Sequence, residues 1–115
     1  MIYIRQSPGD EGGFEWDADN VAHIARHGVR PADAEQALSN DPVTLQYAVT
    51  DSGEQRWVGV GPTDARRLLV IVWTMRASRV RVVTAYPASG RLRGAYAKAK
   101  QFGKAGEEND SSVQD

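Results

Sequence analysis

Between residues 17 and 39 the apolar positions recur at the helical period. Val21, Ile24 and Ala25 stand at i, i+3 and i+4, behind Asp17, whose carboxylate suits the N-cap of a first helix. Gly28 tolerates the left-handed conformation that ends it. Pro31 suits the first turn of a second helix that turns Ala34, Ala37 and Leu38 inward, and Asn40-Asp41-Pro42 stops it. The period then changes from 3.6 to 2. Val43, Leu45, Tyr47 and Val49 alternate with polar or small residues as in a half-buried strand, and Asp51-Ser52-Gly53 turns into a second strand over 54–61. Residues 68–73 are apolar on both faces and belong at the centre of a sheet; residues 79–86 follow after a turn. Ser89 can cap a last helix with Leu92, Ala95, Tyr96 and Ala99 inward. Residues 6–13 read as a polar loop and Phe14-Glu15-Trp16 as a brief extended stretch. The expected architecture is a small α+β domain over 1–102: two N-terminal helices, a four-stranded antiparallel sheet and a C-terminal helix. Residues 103–115 are too polar to pack and are expected to form a disordered acidic tail.

Composition narrows the function without naming it. With 115 residues, 41% hydrophobic and 25% charged, the chain has the makings of one globular domain. It has no cysteine, which removes disulfides, thiolate metal sites and cysteine nucleophiles. Its longest apolar run is six residues against the roughly 20 of a membrane helix, and Met1 is not followed by a signal-peptide pattern, so the expected location is cytoplasmic, with no membrane partner.

Charge changes the picture more. Residues 1–54 carry three arginines against ten acids, a balance of −7. Residues 55–102 carry ten basic residues against Asp64 alone, a balance of +9. Such asymmetry points to a polyanionic partner, or to two halves that neutralise each other in the fold. Arg76, Arg79 and Arg81 bracket one turn, where they would repel one another unless a phosphate or acids sit among them. Glu54 and Arg56 share a strand face, as an ion pair or a catalytic pair. His23 and His27 have the i, i+4 spacing of a metal pair but no third ligand nearby, so no metal site is expected; His27 alone suits the last turn of its helix. Tyr86 ends its strand on the face opposite Arg81, unless a bulge intervenes, and Tyr96 belongs to the core. No glycine-rich phosphate loop or nucleophile elbow occurs.

Phe14-Glu15-Trp16-Asp17, Arg26-His27-Gly28-Val29, Asp41-Pro42, Gly53-Glu54-x-Arg56, the strand over 68–74 with Arg76 beyond it, and Arg81-Val82-Val83-Thr84-Ala85 leading to Tyr96 together resemble the BrnT toxin family of type II toxin–antitoxin systems. The resemblance covers about residues 14–100 and implies a RelE-like fold. It also implies a ribonuclease that works without a metal or other cofactor, an RNA substrate, a BrnA-like antitoxin, and contact with operator DNA only through that antitoxin. Carried over to this chain, His27, Glu54, Arg56, Arg76 and Arg81 are the expected catalytic positions. Three positions depart from the family pattern: Tyr86 stands where arginine is usual, Leu92 where glutamate is, and Arg30 where a capping serine is. Tyr86 joins the catalytic candidates as a proton donor, and Arg79, Arg91, Arg93 and Lys98 are expected RNA contacts. The chemistry expected is attack of the RNA's own 2′-hydroxyl on the adjacent phosphate. The alternatives are a module that binds an antitoxin or nucleic acid without cleaving it, and a self-neutralised protein-interaction domain.

Overall fold

The computed structural model describes residues 13–112, with side chains through Gln101. Most of the loop expected over 6–13 and the last three tail residues lie outside the described residues. The elements run β1 (Phe14–Glu15), α1 (Ala18–Ala25), α2 (Pro31–Ser39), β2 (Val43–Val49), β3 (Gln55–Pro62), β4 (Leu68–Arg76), β5 (Arg79–Pro87) and α3 (Gly90–Ser112). The α+β class is as expected, but the sheet has five strands in the order β1-β5-β4-β3-β2 and is mixed rather than wholly antiparallel. The extended stretch at Phe14 pairs parallel to β5, Phe14 with Val80 and Glu15 with Arg81. Two residues carry too little periodicity to announce a strand; Val80 donating its N–H to the Gly13 carbonyl, and the side-chain amide of Asn20, complete the pairing from outside it. Asn20 Nδ2 donates to the carbonyls of Glu15 (3.0 Å) and Val82 (3.1 Å), stitching α1 to both strands.

β4 is central, and its two faces serve two cores. Leu69, Ile71 and Trp73 face α1 and α2 with Ile24, Val29, Ala34, Ala37 and Leu38; Val70, with Val60, faces α3, where Leu92 and Tyr96 pack. The approach of α2 to β3 is close enough that a Cβ on Gly61 would fall on the Ala37 carbonyl, so that position requires glycine. Three stripes differ from expectation. In α1 the buried positions are Asn20 and Ile24 while Ala25 is exposed, because the inward face is drawn to the Glu15 and Val82 carbonyls. Ala95 of α3 is exposed, leaving Leu92, Tyr96 and Ala99 as the packed side. β2 is not half-buried: from Thr44 onward every residue is exposed, since β2 is the sheet edge, beyond the cover of the helices. α3 continues as helix past residue 102, where the tail was expected to begin.

Asp17 caps α1 by accepting from the Asp19 and Asn20 amides, and Asn20 Oδ1 accepts the Asp17 N–H in return. At α2 the arginine in the cap position reverses the usual arrangement. The Asp33 carboxylate, buried in the third position of the helix, accepts both the Arg30 amide and its guanidinium. That pairing, with Arg67 at 3.8 Å, holds the Asp33 carboxyl below the usual carboxylate range.

Candidate functional site

On the sheet face that α3 packs against, the strands turn polar away from Leu92 and Tyr96, and among the described residues none of α3 lines this part. Cross-strand pairing sets the geometry. Thr74 of β4 pairs with Arg81 and Arg76 with Arg79, so Arg76, Arg79 and Arg81 share this face. On β3, Trp57 faces the other core against Trp73, which turns Arg56 and Glu54 to the same side as the arginines. Of these charged residues, all but Arg79 line an open cleft of about 230 Å³ whose charged walls are Glu54, Arg56, Arg76, Arg81 and Asp19. His23, Asn20, Val82 and Val83 close its α1 side.

The acids expected among the arginines are present, so their mutual repulsion by itself does not call for a phosphate. Arg81 donates to Asp17 Oδ2 at 2.9 Å and lies 3.4 Å from Glu15, with its side chain 13% exposed. This pairing raises the pKa of Arg81 and lowers that of Asp17, so both charges persist over a wide pH range. Arg76 is freer, with a side chain 57% exposed and Glu15 no nearer than 3.8 Å. Arg56 donates through Nη2 to Glu54 at 3.1 Å, while its Nε–H is buried with no hydrogen-bond partner. That bond, helped by the Arg76 charge, holds the Glu54 carboxyl below its ordinary range. Glu54 is therefore a carboxylate at neutral pH, able to accept a proton but not to offer one.

The other candidates separate into two groups. β5 carries one extra residue: Val72 and Trp73 are consecutive on β4, yet they pair with Thr84 and Val82. This bulge at Val83 rotates Tyr86, paired with Val70, onto the face that bears Arg81, the exception that a strict period of two did not require. The His27 ring lies edge-on to Tyr86 at 5.9 Å and to His23 at 5.8 Å. His27 and Tyr86 thus form one row that reaches the cleft only through His23, which sequence reasoning set aside with the metal pair. Arg79 is turned away to the Phe14 carbonyl (2.9 Å). Arg91, Arg93 and Lys98 are exposed on α3 and are not among the cleft's lining residues. Asp17, Asp19 and Asn20 were also missed; the aspartate cap was visible, but its second role on Arg81 depends on a contact 64 residues away.

Among the described residues no group of three or more His, Asp or Glu is placed to hold a metal ion, and no helix is long and apolar enough to cross a membrane. Residues 16–91, from the Trp16 that opens the capping region to the start of α3, match the family model described as "Ribonuclease toxin, BrnT, of type II toxin-antitoxin system". The chain belongs to the BrnT family. The match spans all the cleft's lining residues, whereas Arg93 and Lys98 fall beyond it. No individually curated protein matches the chain. Membership implies a ribonuclease toxin with an RNA substrate and an antitoxin partner.

Proposed function

We propose that the cleft on this sheet face cleaves RNA with the RNA's own 2′-hydroxyl as nucleophile. Glu54 accepts the 2′-hydroxyl proton, O2′ bonds to the adjacent phosphorus, and the P–O5′ bond breaks as O5′ takes up a proton. The products are a 2′,3′-cyclic phosphate and a 5′-hydroxyl. Because the substrate supplies the nucleophile, the protein needs a base, an acid and positive charge around the phosphorane, and side chains at this cleft can supply all three. Arg76 and Arg56 are the phosphate ligands with donors to spare. Arg81, held by Asp17 and Glu15, acts as a fixed charge at the cleft wall. Proton delivery to O5′ falls to the row His23, His27 and Tyr86, with Tyr86 in place of the arginine usual in the family.

The observation that carries this reading is the convergence of an ionised Glu54 and a largely exposed Arg76 on one open cleft. The test is incubation of mixed-sequence RNA with purified protein in excess EDTA, with the product ends identified by mass. Cyclic-phosphate ends are expected. Glu54→Gln should lower the rate by about 10²–10⁴-fold, and Arg76→Ala by about 10²-fold or more. Unchanged cleavage in both variants sinks the assignment. The clamp on Arg81 favours one rival, a module that holds RNA without cutting it. That rival predicts salt-sensitive affinity and no product.

A further inference from the structure

The sheet has one edge that is already dressed for another strand. β2 is seven residues long, ends the sheet, and carries no charged residue. Exposed edges are normally blunted by lysine, proline, brevity or a bulge; β2 carries no lysine or proline, and its one irregularity, between Thr44 and Gln46, leaves Gln46–Val49 in regular register. Among the described residues, the large exposed hydrophobic ones lie here: Leu45, Tyr47 (50% exposed) and Val49 (55%). Tyr47 and Val49 pair with Trp57 and Gln55 and therefore share a face, and Tyr47 continues the aromatic stack of Trp57 on Trp73. The backbone is equally prepared. Thr50 donates its N–H inward to the Glu54 carbonyl, so strand alternation turns the N–H and C=O groups of Val49 and Tyr47 outward. Of the acids nearby, Asp41 holds Lys100 and Glu54 holds Arg56, whereas Asp51, in the turn that follows β2, is exposed and meets no cation among the described residues.

We propose that the outer edge of β2 docks the antitoxin, which adds there as a sixth strand an extended segment that is cationic and apolar at alternate positions. Backbone bonds to Tyr47 and Val49 supply the register, and apolar side chains laid over Leu45, Tyr47 and Val49 supply the buried area. A flanking Lys or Arg meets Asp51 at the turn end of β2. The proposal rests on membership in a toxin–antitoxin family and not on the cleavage chemistry, and its readout is binding, so loss of the ribonuclease reading leaves it standing.

The experiment is residue-resolved amide exchange of the full chain, alone and with a purified BrnA-like antitoxin, followed by titration calorimetry. The antitoxin is expected to protect the Tyr47 and Val49 amides while leaving that of Ala48, already bonded to β3, unchanged. Val49→Lys should weaken binding at least about thirtyfold, as loss of an anchor residue does. Val49→Pro removes only an outward-facing donor at an edge, where proline is tolerated, and should weaken binding about tenfold with the melting temperature little changed. Affinity should fall as salt is raised. Protection confined to α3 or the cleft, full-strength binding by both variants, or no binding of the antitoxin by the unmodified chain would each overturn the proposal. So would protection of β2 that depends on the chain's own concentration, which would assign the edge to a second copy.

Discussion

Glu54 and Arg56 show how two residues can be both a structural pair and a working one. The bond that anchors the Arg56 guanidinium also sets the protonation of Glu54, because a hydrogen-bonded cation favours the charged carboxylate. The sign of the consequence follows. A base works only above its own pKa, and Arg56 holds that pKa down, so cleavage should persist well into acid. Arg56→Gln lets the carboxyl return toward an ordinary glutamate value. The acid limb of the kcat/KM profile should then move to higher pH, alongside any loss in rate; a limb that stays put would free Glu54 of the role. These two residues were legible as a face-sharing pair from strand period alone. His23 was not, because i, i+4 histidines on a helix read as a failed metal pair until the helix is docked beside β5. Its place on the cleft wall comes from Asn20, one turn earlier, binding the Glu15 and Val82 carbonyls.

The β4–β5 hairpin is where local and global requirements conflict. Ala77 and Ser78 make a two-residue turn with φ of +50° and +70°, conformations that glycine or asparagine adopts at less cost. Ser78→Gly should therefore stabilise the domain by about 1 kcal/mol, read as a rise of a few degrees in melting temperature. A fall would mean that the serine side chain contributes a bond the turn needs. The same hairpin explains what the sequence could not show. Its strands were read from the two-sided apolar run over 68–73 and the turn that follows it, yet the bulge at Val83 is one residue in a run of mostly β-branched ones and leaves no mark in composition. That unmarked residue decides whether Tyr86 faces the site. β1 was under-read for a similar reason, since a two-residue strand exists only by virtue of its partner. β2 was over-read: its alternation is as regular as that of a buried strand, and only the sheet order shows that it is an edge whose residues from Thr44 onward are exposed.

At the scale of the whole molecule, the charge imbalance between the two halves is resolved in large part by the fold. Five of the ten basic residues in 55–102 meet acids from 1–54: Arg56 with Glu54, Arg67 with Asp33, Arg76 with Glu15, Arg81 with Glu15 and Asp17, and Lys100 with Asp41. Sequence arithmetic correctly flagged the asymmetry but could not divide self-neutralisation from recognition, because the division depends on which pairs the sheet order brings together. Arg91, Arg93 and Lys98 remain exposed along α3, outside the cleft. If they contact RNA phosphates, replacing all three by alanine should make the slope of log affinity against log salt shallower by about 2, at roughly 0.7 per single-strand contact. An unchanged slope would confine RNA recognition to the cleft.

The pairing of β1 with β5 also imposes an order in time. Glu15 and Asp17 are synthesised more than 60 residues before the Arg81 they hold, and the chain between them includes every other strand of the sheet. Synthesis runs from the N-terminus, so a chain still short of residue 81 has no cleft wall at β5 and no partner for its first strand. A fragment released before residue 81 therefore lacks the Arg81 side of the cleft. The cell that makes this toxin meets an assembled site only after nearly the whole domain has emerged, and by then the edge at β2 is already complete.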